Sequence, residues 1–577
     1  MIVMKFGGTS VATPENIEKL IHIVAEARRG ENAAAVVVSA FGGVTNGLIR
    51  LARLAGERAP EMAVELQALK QRHRDAVADL VADNHREEAA RGVEEMLTDL
   101  TDVLQGVFLL REASPRSVDF IMSFGERLSA FIISYAMRKA VPQTEFLDAR
   151  QVIRTDDAFG LAQVDWDVTR AQICDYFNAH ADLQVVTGFI AATRDKHTTT
   201  LGRGGSDYTA SLLGAALRCK EIQIWTDVSG VLTADPRKVD DTQPVACMSY
   251  EEAMEVAHFG AKVIYPPTMA PAMRAGVPLR IKNTFEPDAP GTLIGEQSRT
   301  TGGVCAITSI DHVALLQLKG AGLIGVAGSA SRLFGALAQA GISVILISQA
   351  SSEHSICFAV KPEEAEAAAN VVGKAFEYEI LKGHVDSVTL EKELSVLALV
   401  GEGMKERPGI TGRIFGSLGR NGINVEAIAQ GSSELNISFV VKRADEVRAL
   451  RILHEAFFVS HHVTRLFLIG PGLIGKTLLT QLAHLTETRA NLPVIKLCGI
   501  ANSRHMLLAE HGMALDDVHT RLPEGEPLDL GTFCEHMKRR PNTVLVDCTA
   551  GTVVPELYVD ALQHGISVVT PNKIANT

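Results

Sequence analysis

The sequence predicts an α/β protein of several domains: a large layered α/β unit, a tandem pair of small ferredoxin-like modules, and a third α/β unit. Three observations carry this. Short apolar strands alternate with amphipathic helices over residues 1–295, a segment starting at Arg332 recurs at Arg413, and a strand with a glycine-rich turn opens a new alternation near Arg465. Such alternation selects layered folds because each strand must bury its apolar face beneath a helix. A chain of 577 residues exceeds one hydrophobic core, and about 150 residues per domain predicts three or four units.

In chain order, IVMKF is a strand, a helix starts at Pro14, AAAVVV is the second strand, helices cover 45–140, and LQVVTGFI and EIQIWTDV add strands. Glycine and serine cluster just after these strands, where ligands collect in open α/β sheets. The polar, turn-rich stretch EPDAPGTLIGEQSRTTGG marks a boundary. Beyond it, RLFGALAQAGISVILISQASSEHSICFAV from Arg332 aligns without gaps to RIFGSLGRNGINVEAIAQGSSELNISFVV from Arg413, about half the positions being identical. Each copy reads helix, glycine turn, strand, polar turn, strand, and the expected unit is βαββαβ. The third unit comprises RLFLIG, a glycine turn, a helix, and the strands VIKLCGI, NTVLVDC and ISVVT.

Hydrophobic residues make up 46% and charged residues 21% of the chain, the composition of a compact folded protein. With 56 basic against 68 acidic residues the net charge is −12, so the basic excess of a nucleic-acid binder is missing and substrate anions must be met by local sites. No apolar run reaches the roughly 18 residues that span a bilayer, and MIVMKFGGTS lacks the features of a signal peptide. The expectation is a cytoplasmic protein with no membrane and no nucleic-acid partner. Eight scattered cysteines without a CxxC pair, and no HExxH, predict reduced thiols and no metal cage.

Three glycine loops carry the chemistry. Lys5-Phe6-Gly7-Gly8-Thr9-Ser10 sets a cation beside unobstructed backbone N–H groups at a strand end, an arrangement that cradles phosphates. Ser39-Ala40-Phe41-Gly42-Gly43-Val44-Thr45 repeats the logic, and Leu201-Gly202-Arg203-Gly204-Gly205-Ser206-Asp207 joins glycines to an arginine and an aspartate.

The segments KFGGTS, VVSAFGGVTN, SFGERLSA, TLGRGGSDYTA, WTDVSGVLTADPR and FGAKVIYPPT, in this order, resemble the aspartokinase pattern of the amino-acid kinase family, over the whole of residues 1–295. The resemblance implies a three-layer kinase fold, and transfer of the γ-phosphoryl of ATP to the side-chain carboxylate of L-aspartate. Two anions must approach, so positioning and charge stabilisation carry such a reaction, and no protein nucleophile is needed. By resemblance Lys5 contacts the transferring phosphoryl, and Gly7, Gly8, Gly42 and Gly43 offer N–H donors. Arg203 fits the aspartate α-carboxylate, Glu126 its ammonium group, and Ser39, Thr45 and Ser206 hydrogen-bond the substrate; Asp207 holds Lys5 rather than acting as a base. The bland reading of Glu126 is a solvated helix residue paired with Arg127. Thr226, Asp227, Arg237 and Lys262 are the adenine and ribose candidates. Leu232 departs from the family pattern, which often has tyrosine there. Magnesium arrives with the nucleotide, held by phosphates and water, and no protein metal ligand is expected.

Gly470-Pro471-Gly472-Leu473-Ile474-Gly475-Lys476-Thr477 satisfies both GxGxxG and GxxxxGK[ST]. A P-loop reading makes Lys476 a phosphate ligand and Asp547 a metal-binding partner. The dinucleotide reading asks for strand, turn, helix and second strand, and RLFLIG to VIKLCGIANSR supplies them. CGIANSR, VDCTA and VVTPNK resemble the cofactor domain of homoserine dehydrogenase, which implies a partial Rossmann domain with Gly470, Gly472, Gly475, Arg504, Thr549 and Lys573 facing the cofactor. Arg504, where an acidic residue would select NAD, favours NADP over NAD. The chain ends four residues after Lys573, and no homoserine dehydrogenase activity is expected of this length.

The repeat resembles tandem ACT domains, small folds that bind amino acids. The resemblance implies an effector, threonine, near Gln349 and Gln430, and a homodimer or homotetramer through these modules. The expected domains are 1–295, 304–385, 386–462 and 463–577. Rival readings are a non-catalytic amino-acid sensor, a P-loop NTPase through Gly470–Thr477, and a kinase acting on another amino acid.

Overall fold

The computed structural model describes residues 1–574 apart from 31–32, 261–263, 298–302, 325, 350–353, 405–406, 432–434, 459–462, 489–493, 516–517 and 541. Two compact units emerge, residues 1–232 with 244–300, and residues 233–243 with the chain from 301 onward.

In the first unit the strands are β1 (Ile2–Phe6), β2 (Ala33–Val38), β3 (Thr144–Leu147), β4 (Arg154–Thr155), β5 (Leu183–Thr187), β6 (Ile190–Thr193), β7 (Thr198–Thr200), β8 (Glu221–Thr226), β9 (Cys247–Ser249), β10 (Leu279–Asn283) and β11 (Thr292–Gly295). Eight of them make one sheet in the order β3-β5-β2-β1-β8-β10-β11-β9. From β3 to β10 the pairing is parallel. Every residue of β1 and β2 is buried, which is why IVMKF, apart from Lys5, and AAAVVV read as small or apolar runs with little alternation. The helices that matter for the site are α1 (Pro14–Gly30), α2 (Val44–Glu57), α3 (Glu61–Leu80), α4 (Asp83–Leu110), α5 (Pro115–Met137), α6 (Trp166–Ala179) and α7 (Gly205–Ala216). Phe6, Val36, Leu48, Leu97, Phe124 and Ile133 share one core that joins β1 and β2 to α2, α4 and α5. Because β1 and β2 run parallel, the loops that follow them leave the same edge of the sheet.

The second unit holds two six-stranded sheets. The first contains β12 (Ala306–Lys319), β13 (Leu346–Gln349), β14 (Ser355–Val360), β15 (Thr389–Val400), β16 (Ala427–Gln430) and β17 (Asn436–Lys442), in the antiparallel order β13-β14-β12-β15-β17-β16. Each sequence repeat contributes βαββα rather than the expected βαββαβ, and its missing strand comes from the other repeat. Ile307 on the first half of β12 packs with Leu397, Phe439 and Ile414 of the second repeat, while Leu316 on its second half packs with Phe358 and Leu333 of the first. The exchange takes place at register shifts around Val313, where His312 and Glu393 both adopt positive φ. The repeats thus interlock across the expected boundary at residue 385.

The excursion 233–243 also belongs to this unit. Ala234 and Val239 enter the second repeat's apolar core, and Lys238 reaches the buried Glu446 at 2.5 Å.

The last sheet comprises β18 (Val463–Ile469), β19 (Val494–Ala501), β20 (His505–Met513), β21 (Glu526–Pro527), β22 (Thr543–Asp547) and β23 (Ser567–Val569), in the order β21-β20-β19-β18-β22-β23. β19, β18, β22 and β23 are parallel, and the helix Leu473–Thr488 follows the Gly470 turn. Among the described residues no helix is long and apolar enough to cross a membrane.

Candidate active site

A cavity of about 340 Å³ opens in the first unit among the loops that follow β1 and β2 and the start of α7, lined by Lys5, Gly8, Ser39, Gly42, Gly43 and Thr45 together with Glu126, Ser206 and Asp207. Three glycine loops distant in sequence therefore meet, with one face of α5 as a wall. Two helices begin at this cavity, α2 after Gly43 and α7 after Gly204, and neither has a side-chain cap. Both glycines hold positive φ, 83° and 71°, a conformation that costs other residues. Bare helix N-termini present unpaired N–H groups and the positive end of the helix dipole, so two anion-binding ends converge here.

Lys5 is only 8% exposed, and its Nζ lies 2.5 Å from Asp207 Oδ1. Burying a lysine demands a paired anion, and Asp207 on the first turn of α7 supplies it while fixing the ammonium in place. Ser39 Oγ donates to Ser206 Oγ at 3.1 Å, joining the second and third loops, and Ser129 Oγ donates to the Ser39 carbonyl at 2.8 Å.

Glu126 is not the solvated partner of Arg127. It is 3% exposed, its Oε1 accepts the Ala40 N–H at 3.3 Å, and its Oε2 is buried without a partner. Burial pushes its pKa up to about 8. Arg127 instead lies 3.8 Å from Asp148 and over the Phe124 ring. Gly125 brings α5 this close, since a Cβ there would lie 2.9 Å from Ala40 Cβ.

Other candidates lie elsewhere. Gly7 cannot serve a ligand as expected: its N–H donates to the Trp225 carbonyl at 3.0 Å, holding the first loop to β8. Arg203 stands exposed, its guanidinium 5.9 Å from the Tyr265 ring centre. Thr226 and Asp227 sit at the end of β8, hydrogen-bonded to one another at 3.1 Å. Arg237 belongs to the excursion in the second unit, where it chelates Asp235 through two hydrogen bonds. Lys262 lies outside the described residues.

The sequence reading missed Asn46 and Phe189 in the cavity wall. Asn46 was in view as the last residue of VVSAFGGVTN. Phe189 holds φ at 66°, strain that a bulky residue keeps only where its surroundings enforce it. Also missed was Asp119 on α5, fully buried, which accepts from the N–H groups of Gly160 and Thr200 and from the Thr200 hydroxyl, bracing the turn next to the third loop.

In the second unit, Gln349 and Gln430 are exposed at the ends of the edge strands β13 and β16, and Ser348 Oγ donates to the Ile428 carbonyl at 2.8 Å, so the two edges meet. In the last sheet Gly470 has φ 90° and abuts Thr549, whose Oγ1 is buried without a partner. A Cβ on Gly475 would fall 2.6 Å from the Gly470 carbonyl, so the helix can approach the turn only through glycine. Asp547 is fully buried and accepts from Tyr558 Oη at 2.6 Å and the Thr549 N–H at 2.7 Å. That leaves it no part in the metal site a P-loop needs. Arg504 and Lys573 are exposed.

Three family profiles match the chain: the amino acid kinase family over residues 1–283, the ACT domain over 316–376 and 397–457, and the homoserine dehydrogenase NAD binding domain over 470–577. A bifunctional aspartokinase/homoserine dehydrogenase of Zea mays is 38% identical over 593 aligned positions, covering all of this chain and 64% of its own length. The chain thus spans about two thirds of the length of such plant relatives. The corresponding protein of Haemophilus influenzae is 35% identical, with all of this chain and 72% of its own length aligned. Among solved structures, E. coli aspartokinase III in complex with aspartate and ADP matches at 31% identity and a TM-score of 0.65, covering 79% of this chain and all of its own.

Proposed function

Since the chain belongs to the bifunctional aspartokinase/homoserine dehydrogenase family, we propose that its first unit transfers the γ-phosphoryl group of ATP to the side-chain carboxylate of L-aspartate, giving 4-phospho-L-aspartate and ADP. The observation that carries this reading is the Lys5–Asp207 pair set among two uncapped helix starts. A carboxylate oxygen attacks the γ-phosphorus, and the bond to the β–γ bridging oxygen breaks with its electrons leaving on ADP. The barrier is mutual repulsion of anions, so fixed positive charge and aimed N–H groups are the required catalysts. Lys5 meets the transferring group, Gly8, Gly42 and Gly43 border the phosphates, and Glu126, Ser39, Thr45 and Ser206 receive the amino acid, with Arg203 closing on its α-carboxylate from the rim. Thr226, Asp227 and Lys262 are proposed for the nucleoside, and magnesium enters bound to ATP.

In the last sheet the Gly470–Gly475 turn and the orphaned Thr549 hydroxyl fit a dinucleotide. A bound cofactor supplies hydride chemistry, and Arg504 would meet the 2′-phosphate of NADP. The repeats are proposed to bind threonine at Gln349 and Gln430 and to pair subunits into a homodimer or homotetramer, in a cytoplasmic protein; lysine is the competing effector, since E. coli aspartokinase III was solved with lysine and aspartate.

The test traps the acyl phosphate with hydroxylamine from Mg-ATP, with and without aspartate. Aspartate-dependent hydroxamate is expected, with threonine suppressing it. No product from folded protein that still binds ATP would favour the sensor reading, and aspartate-independent ATP turnover lost in Lys476→Ala would favour the P-loop. Calorimetry with threonine and lysine assigns the effector.

A further inference from the structure

Arg72, on α3 and outside the cavity lining, ties two of the glycine loops together from behind. Its Nη1 donates to the Gly42 carbonyl at 2.8 Å and its Nη2 to the Ala12 carbonyl at 3.0 Å, just past the first loop. The next residue, His73, is fully buried and stacks on Phe41 with ring centres 5.3 Å apart. Burial holds its pKa down to about 4, so the ring is a neutral flat support. Consecutive residues of one helix therefore grip consecutive residues of the second loop.

The consequence follows from peptide geometry. In a planar trans peptide the carbonyl and the following N–H point in opposite directions. Anchoring the Gly42 carbonyl toward α3 turns the Gly43 N–H away from α3, and Gly43 lines the site cavity. The loops have little slack, since a Cβ on Gly42 would lie 3.0 Å from Ala12 Cβ and 3.3 Å from the Gly8 carbonyl. Without the guanidinium, both carbonyls lose this donor, and the Gly43 N–H loses its aim.

We propose that Arg72 is a positioning residue for phosphoryl transfer, which holds the Gly42–Gly43 peptide in the orientation that presents its N–H to the transferring phosphate, with the Ala12 carbonyl as its second anchor. The proposal rests on the kinase reading above. A separate cavity of about 460 Å³ borders Arg72, Phe41, Val11 and Gln71, so Arg72→Ala would open a socket that a small cation can reach.

The experiment uses the full chain with the hydroxamate assay, comparing wild type, Arg72→Ala and Arg72→Lys, with melting temperatures, and with guanidinium chloride kept far below denaturing concentrations against sodium chloride. Arg72→Ala is expected to lower kcat by about 10- to 100-fold, the scale of a small misplacement of reacting groups, with a smaller change in KM for aspartate. Guanidinium should restore turnover several-fold in Arg72→Ala and do nothing for wild type, and Arg72→Lys should recover part of the rate by restoring one donor. A kcat within twofold of wild type in Arg72→Ala, or a loss that neither guanidinium nor lysine relieves, overturns the proposal. If wild type itself makes no aspartate-dependent product, the kinase reading fails instead.

Discussion

Lys5 Nζ lies 2.5 Å from the Asp207 carboxylate, so the cation at the end of β1 is held by the first turn of α7. Lys5→Met should remove aspartate-dependent hydroxamate by about 10²- to 10³-fold, as loss of a preorganised charge-stabilising group does. Asp207→Asn keeps the cation but frees its position, so a smaller loss in kcat is expected, with ATP still bound. Equal losses in the two variants would assign Asp207 a direct role instead.

Glu126 predicts a pH dependence in binding and an opposite one in stability. Its carboxyl titrates at about 8 in the folded chain against an ordinary 4.5, because burial disfavours its charge. A substrate ammonium needs the charged form, so KM for aspartate should fall as pH rises from 7 toward 9, and Glu126→Gln should be weak at every pH. A folded pKa raised above the unfolded one gives stability that is complete below the unfolded value and is lost as pH rises through the folded value. Glu126→Gln should therefore melt higher than wild type at pH 8 in the absence of substrate, which calorimetry would read directly.

Most of the site was legible because its parts are short, ordered motifs whose glycines and charges must meet one ligand. What escaped has a physical cause in each case. Arg72 and His73 sit in QRHRD, which reads as a solvated helix face, and only the fold reveals that Phe41 and Gly42 rest against it. Gly7 looked like Gly8, yet its N–H is spent on the neighbouring strand. The motif WTDVSGVLTADPR reads as one nucleotide segment, but after Leu232 the chain passes into the second unit. The strand exchange between the repeats left no mark, because either repeat's pattern is satisfied by any strand that closes its sheet, and Glu393 at one crossover is not a residue type that announces positive φ.

The double match at Gly470–Thr477 separates by mutation. Thr477 Oγ1 donates back to the Leu473 carbonyl at 2.8 Å as an ordinary helix residue. Lys476→Ala should leave both hydroxamate formation and NADPH binding unchanged. Gly475→Ala forces its Cβ against the Gly470 carbonyl, a clash on the scale of about 1–3 kcal/mol, and should abolish NADPH binding measured by cofactor fluorescence while leaving kinase activity intact. Preference for NADPH over NADH should shrink in Arg504→Ala.

The Lys238–Glu446 pair fastens the excursion 233–243 to the core of the second repeat. Glu446 is 4% exposed and its two oxygens also accept from Ser309 Oγ at 2.7 Å and Ser395 Oγ at 2.8 Å. Removing Lys238 leaves a buried carboxylate with hydroxyl partners but no counter-charge, so Lys238→Met should destabilise the second unit by about 3–5 kcal/mol. Replacing both partners should cost less, because Lys238→Met with Glu446→Leu buries no unpaired charge, though it leaves two serine hydroxyls without an acceptor. Urea unfolding of the four proteins closes the cycle, and a coupling energy near zero would mean that the excursion is held by its other contacts, Ala234 and Val239 in the core, Thr233 on His454 and Arg451 on the Lys238 carbonyl. Because the excursion continues directly from Val231 and Leu232, Lys238→Met should also weaken any inhibition that threonine exerts on the kinase, whereas a variant that loses stability yet is inhibited as fully as wild type would show that the signal travels elsewhere.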